Sequence, residues 1–437
     1  ALGPGRAPVP PSRGLRKGAQ ERRLMLVYDR IRSLELHRRA RGKVKIFPTI
    51  SVNNEEDAFL ASYPGSVAPG MAIVENKDMV YEYTGKGNRL AVVSDGSAIC
   101  GMGNVGPLAG MPMIEGKCLL FKLFGDANAI PLCVKSENPD EFIHMVSMIA
   151  PNFGGINLED ISSPNTFTIL RKLERMLDMP VFCDDQDGTA MLVVGALINA
   201  MKVVDKKLED VRIVFCGAGA GGIAAAQLLL HAGARNLVLL NSKGILGPQN
   251  PSMNYVQEEL AARTNPEGLT GGLEQVVRGA DVLVGISSSG LFSGDLIRSM
   301  APRSVVFALA LPTPEISYEE AVAAGAAVVG TGLSRTGGKN QLTHMLAFPG
   351  LLRGAMDVRS KDIPQELLLA GAQAMASVVD PRRLSPQNVV PDLFCDETAP
   401  RVAEAVAQRA VELNLAQNPL PPGEVYNSAW QRIFGSR

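Results

Sequence analysis

Residues 211–231 read VRIVFCGAGAGGIAAAQLLLH. The run 211–216 is apolar and β-rich and predicts a buried strand, 217–222 is a glycine turn, and 223–231 opens a helix. In that order the glycines have separate tasks. Gly217 permits the tight turn, Gly219 lets the backbone approach a pyrophosphate, and Gly222 lets helix and strand pack closely. The start of the helix adds unpaired N–H groups that favour an anion. A glycine-rich turn is a weak signal by itself; flanked by a strand and a helix it predicts a dinucleotide-binding loop.

Working downstream, short buried runs at 237–240, 282–286, 304–308 and 327–329 alternate with helical stretches. Strands separated by helices predict a parallel, doubly wound sheet. The second strand ends at Asn241-Ser242-Lys243. An acid there would grip the adenosine ribose and repel a 2′-phosphate, whereas Asn241 carries no charge and Lys243 can pair with phosphate, so NADP is expected over NAD. Residues 362–416 have helical spacing interrupted by prolines, and the tail around Trp430 gives no reading.

Upstream, residues 154–190 read GGINLEDISSPNTFTILRKLERMLDMPVFCDDQDGTA. The acidic pairs Glu159-Asp160 and Asp184-Asp185 flank an amphipathic helical segment that can fold one pair back onto the other. The bland reading is a set of caps and solvated turns. Each pair, however, follows a buried apolar run, and carboxylates in that position need partners. Oxygen ligands without histidine favour Mg²⁺ or Mn²⁺ over zinc. Farther upstream lie Gly-rich loops, particularly 95–110, and apolar runs at 90–93 and 118–121 that predict short strands.

The chain has 437 residues, too many for one ordinary core, with 46% hydrophobic and 20% charged residues. The formal net charge of −1 conceals a basic arm, because residues 1–47 carry 13 Lys/Arg against 3 Asp/Glu. Residues 1–20 are expected to be disordered, and 21–36 to form a helix with Leu24, Val27, Tyr28, Ile31 and Leu34 on one face. The arm fits either an organellar targeting segment or a docking element. It lacks the aromatics of a nucleic-acid module. No run of some 18 apolar residues predicts a membrane span. The six cysteines show no paired spacing, which points to reduced thiols and a cytoplasmic setting.

The stretches Leu90-AVVSDGSAICGMGNVGPLAGMPMIEGK-Cys118, GGINLEDI, PVFCDDQDGTA, GAGAGG and LAFPG at 346–350 resemble the malic enzyme family in its short, bacterial-type form. The resemblance runs from about residue 34 to about 417. It implies an α/β protein: an N-terminal substrate and metal domain (34–203), a Rossmann-like NAD(P) domain (204–361) and C-terminal helices (362–437), preceded by an extension (1–33). It also implies oxidative decarboxylation of (S)-malate to pyruvate and CO₂ with NAD(P)⁺ and Mg²⁺ or Mn²⁺, in a homodimer or dimer-based oligomer. By the same resemblance the metal ligands fall on Glu159, Asp160 and Asp185, the catalytic lysine on Lys117, its orienting acid on Asp184 and the catalytic tyrosine on Tyr63.

Four departures lie near the implied substrate. The chain reads Tyr63-Pro64-Gly65-Ser66 where the family usually has Tyr-Thr-Pro-Gly, and Leu311 where it commonly has Asn. Thr343-His344 replaces two asparagines, and Asp187 stands where short members often have His. A leucine offers no hydrogen bond, while His344 retains the capacity to bind a carboxylate. These changes keep two alternatives open: a related 2-hydroxy acid as substrate, and a non-catalytic regulatory homologue. From pattern alone an amino-acid dehydrogenase is a further alternative, and metal dependence separates it from the first reading.

Overall fold

The computed structural model describes residues 30–100, 102–136, 138–332 and 339–435. Compactness divides the chain at Thr49–Ile50. In the first unit, residues 30–40 are helical, with Ile31 and Leu34 exposed. The helix expected at 21–36 therefore runs farther at its C-terminal end, while Leu24, Val27 and Tyr28 lie outside the described residues.

The second unit holds two parallel sheets. The first uses β1 (Arg89–Ser94), β2 (Asn128–Cys133), β3 (Gly155–Leu158) and β4 (Val181–Cys183) in the order β2-β1-β3-β4. Its strands pair with Val93 opposite Leu158 and Leu158 opposite Cys183. This register has a direct consequence: the residues that follow, Glu159-Asp160 and Asp184-Asp185, leave the same edge side by side.

The helix Gly106–Gly125 crosses from β1 to β2. It contains 118–121, which short apolar length alone had suggested as a strand. Runs of that length do not distinguish the two, and the spacing of the buried Gly110, Ile114, Cys118, Phe121 and Gly125 is helical. Lys117 stands three residues after Ile114 and four before Phe121, on the edge of that buried face.

The second sheet contains β5 (Arg212–Cys216), β6 (Asn236–Asn241), β7 (Gly244–Ile245), β8 (Val282–Gly285), β9 (Val305–Ala308) and β10 (Val328–Thr331), ordered β10-β9-β8-β5-β6-β7. Only β7 is antiparallel. The chain reverses direction of winding between β5 and β8, which opens a crevice at the carboxyl edge of the sheet. The five expected parallel strands are all present, with ends differing by a residue or two.

The segment Asp184–Val204 is long and apolar enough to cross a membrane, yet 78% of its most apolar window is buried inside the fold. It is a core helix, with Gly195 so close to the helix Gln365–Ser377 that a methyl there would meet Met375 Cε at 2.2 Å. Helix Phe348–Asp357 docks on Thr398–Glu412 through Gly350 and Gly354, and Phe348 meets Phe121 with ring centroids 4.5 Å apart. Trp430, illegible in the sequence, lies on the helix Glu424–Phe434 between Tyr426 and Phe434.

Candidate active site

A single turn of π-helix, Asp184–Gly188, follows β4 and leads into the helix Thr189–Val204. Single turns of this kind recur at functional sites. Asp160, just after β3, adopts a left-handed backbone (φ 54°), and its N–H donates to Asp185 Oδ2 at 2.8 Å. Glu159, Asp160 and Asp185 consequently each present a carboxylate oxygen within 4.8 Å of the others. Asn157, buried in β3, donates to Glu159 Oε2 at 2.8 Å and fixes that carboxylate.

Lys117 brings Nζ to 2.9 Å from Glu159 Oε1 and pairs with Asp184. Its ammonium also lies 4.7 Å from the centroid of the Phe348 ring. Asp184 is fully buried, and His344 Nδ1 lies 2.7 Å from its Oδ2. His344 Nε2 is 3.0 Å from Thr189 Oγ1, which donates to the Asp185 carbonyl at 3.0 Å. With the Thr189 proton so used, both ring nitrogens of His344 donate, the pattern of an imidazolium. Both are thereby engaged within the protein.

The electrostatics follow from this crowding. Burial pushes the Lys117 ammonium down, but Asp184 and Glu159 outweigh it and hold the lysine charged. Burial likewise pushes Asp184 up, while His344 and Lys117 pull it well below the usual carboxylate range. For Asp185, burial and the charges of Glu159 and Asp160 act together and raise it strongly. Burial, then Glu159, pushes Asp160 up to about 7. Four carboxylates, those of Glu159, Asp160 and Asp184 buried and that of Asp185 half-buried, thus face two cationic side chains. Surplus negative charge in such a place is costly without a further cation. The three gathered oxygens of Glu159, Asp160 and Asp185 are the hard donor set that Mg²⁺ and Mn²⁺ prefer, so these residues fit such an ion.

The glycine turn lies against this cluster. Gly217 has φ 121°, and a methyl on Gly222 would sit 2.0 Å from the Gly217 carbonyl oxygen. Gly219, the residue before helix Ala220–His231, faces open space. Gly221 approaches the acidic segment so closely that a methyl there would be 2.8 Å from Thr189 Cγ2 and 3.1 Å from the Asp185 carbonyl oxygen. The two predicted sites are therefore adjacent.

Other predicted residues lie elsewhere. Asn241 spends its amide on its own loop, accepting from Lys243 N–H and Asn250 Nδ2 at 2.9 Å each and donating to Ser252 O. The Lys243 side chain is exposed. Leu311 is 51% exposed beside Gly332. Asp187 is not among the three gathered oxygens and instead accepts from the Cys183 N–H at 3.0 Å. Tyr63 is 84% exposed and hydrogen-bonds with none of the cluster. Sequence reading did not single out Asn157, Thr189 or Gly221. Their signal was faint: an amide two residues before a buried acid, and small residues where two elements must touch.

A coenzyme-type glycine turn packed on a buried lysine and carboxylate cluster defines a nucleotide-dependent oxidoreductase. Comparison with known proteins makes the assignment specific. The family model described as malic enzyme, NAD binding domain, matches residues 186–411, and that for the malic enzyme N-terminal domain matches 65–138 and 135–174. The chain is 43% identical to the bifunctional malic/malolactic enzyme of Bacillus subtilis over 394 residues, covering 90% of this chain and 96% of that one. It is 42% identical to the NAD-dependent malic enzyme of Geobacillus stearothermophilus, covering 86% and 78%. The crystal structure of a malic enzyme from Pyrococcus horikoshii superposes with a TM-score of 0.85 at 41% identity, covering 89% of this chain and 92% of that one. The chain belongs to the malic enzyme family.

Proposed function

We propose that this protein oxidatively decarboxylates (S)-malate to pyruvate and CO₂ while reducing NAD(P)⁺. The observation that carries the proposal is the meeting of Lys117, Asp184 and three gathered carboxylates beside a coenzyme turn, in a chain of this family. Glu159, Asp160 and Asp185 would hold Mg²⁺ or Mn²⁺, and NAD(P)⁺ would lie along the glycine turn. When bound, these groups supply Lewis-acid polarisation of the substrate oxygens and a hydride acceptor, respectively.

The protein's own residues do the rest. Lys117 takes the proton of the C2 hydroxyl, which requires the free amine. The pull of Glu159 that keeps it protonated weakens once that carboxylate serves a second cationic partner. Asp184, clamped by His344, keeps Nζ in place while that happens. The Phe348 ring and the buried face of the helix that carries Lys117 limit the access of water to the amine. Since His344 has no free ring nitrogen, its part is to hold Asp184.

Tyr63 is proposed as the acid that protonates C3 of enolpyruvate, serving the site of a second copy in a homodimer. Its exposure supports this, as do the exposed Phe59, Leu60, Val67 and Met71 around it, since apolar groups clustered on a surface mark an interface. NADP is the proposed preferred coenzyme, on the uncharged Asn241 and exposed Lys243. The six free thiols fit a reducing cytoplasm as its proposed setting.

The test is absorbance of the reduced coenzyme with purified protein, (S)-malate, Mn²⁺ and either NADP⁺ or NAD⁺. Malate-dependent reduction abolished by EDTA is expected. Folded protein that reduces neither coenzyme would refute the proposal.

A further inference from the structure

Glu315 is fully buried in the loop that follows β9, at the carboxyl edge of the nucleotide sheet. Its Oε1 accepts the Ser287 N–H and its Oε2 the Ala310 N–H, both at 2.9 Å. One carboxylate thus ties together the loops that leave β8 and β9. The surrounding backbone repeats the connection: Gly290 N–H donates to Pro314 O at 3.1 Å, Phe292 N–H to Glu315 O at 3.0 Å, and Ser289 Oγ to Thr313 O at 2.6 Å. Space for the carboxylate is made by Gly285, the last residue of β8, where a methyl would stand 2.5 Å from Glu315 Cδ. The loop after β8 is in turn seated on the glycine turn, because a methyl on Gly217 would meet Ile286 O at 2.3 Å, and Ile286 N–H donates to Cys216 O at 2.9 Å.

Topology says which part of the coenzyme these loops face. The turn after β5 takes the pyrophosphate, and β6, on one side, leads to the adenosine end at Asn241 and Lys243. The loops after β8 and β9 lie on the other side of β5 and line the nicotinamide half of the crevice. We propose that Glu315 is a positioning residue for the nicotinamide half of NAD(P): its two oxygens hold the loops after β8 and β9 at one fixed separation. Nothing in the sequence marks it, since an acid after Pro-Thr-Pro reads as an ordinary turn residue. The carboxylate is the right group for the task, having two acceptors and no donor for two converging N–H groups. Glu315→Gln keeps the shape and sets an NH₂ against one of those N–H groups, forcing that loop away.

The inference rests on the proposed use of NAD(P) by this domain, so the test reads binding instead of turnover. Calorimetric titration with NADP⁺ and with adenosine 2′,5′-bisphosphate, which carries only the adenosine half, is made on wild type, Glu315→Gln and Glu315→Asp. Expected is about a tenfold weaker NADP⁺ affinity in Glu315→Gln, a smaller loss in Glu315→Asp, and unchanged affinity for the half-ligand. Equal weakening of both ligands, or of neither, overturns the role. Wild type that binds the half-ligand and NADP⁺ with the same affinity overturns it too. If the variants do not fold, amide exchange in the wild type decides: exchange at Ser287 and Ala310 must slow with NADP⁺ and not with the half-ligand, and unchanged exchange refutes the proposal.

Discussion

Residues at this site act through what their neighbours leave them free to do. His344 was open as a substrate ligand on sequence grounds, but its ring is committed to Asp184 and Thr189. Asn241 is similar, its amide absorbed by the loop it starts, so the proposed preference for NADP falls to Lys243. Lys243→Ala should therefore raise KM for NADP⁺ by about tenfold, the weight of one charge-assisted contact to phosphate, and leave KM for NAD⁺ unchanged. Steady-state kinetics with both coenzymes would check this, and equal effects on the two would remove Lys243 from the account. Individual contacts of this kind were not legible in the sequence. The acidic pairs Glu159-Asp160 and Asp184-Asp185 stood out because each follows a buried apolar run, family resemblance gave them separate roles and added Lys117, and Asn157 and Thr189 emerged only once the strands were in register.

Elements of regular structure were read more fully, and for a physical reason. The nucleotide sheet declares itself because each of its parallel strands is a buried apolar run bounded by turn residues. The run 118–121 was misassigned because four apolar residues fit either period, and only the longer spacing from Gly110 to Gly125 decides for a helix. The helix Asn165–Met176 buries its apolar face as expected, but it also carries Glu174 toward Asp187 and Asp362. Burial, followed by those two charges, pushes Glu174 up to about 8 from an ordinary 4.5. Between these values the folded chain keeps a proton that the unfolded chain has lost, so this group's contribution to stability falls as pH rises through that window. Glu174→Gln should match wild type near pH 4 and exceed it near pH 9 by on the order of 2 kcal/mol, partial solvent access trimming the full linkage value. Urea unfolding at the two pH values measures the difference. A variant no more stable than wild type at pH 9 would show that the carboxylate finds compensation elsewhere.

At the scale of the whole molecule, two sheets meet so that the coenzyme turn touches the acidic segment through Gly221, Thr189 and Asp185. Tyr63 stands outside that junction, which is why the proposed catalytic unit is a pair of chains. Mixing inactive Tyr63→Phe and Lys117→Ala subunits should restore about a quarter of wild-type activity, since half the random dimers are mixed and each has one intact site. An active Tyr63→Phe would place Tyr63 outside catalysis, and failure of exchanged subunits to recover any activity would place it with its own chain. Glu159, Asp160 and Asp185 are proposed to hold a divalent cation, beside which Lys117 is the base for the substrate hydroxyl. Electron paramagnetic resonance of Mn²⁺, read beside malate turnover, tests both halves together. Lys117→Ala should still bind Mn²⁺ but lose about 10²–10⁴ in kcat, and Asp185→Asn should lose Mn²⁺ binding and turnover alike. Undiminished Mn²⁺ binding in Asp185→Asn, or near wild-type turnover in Lys117→Ala, would contradict it.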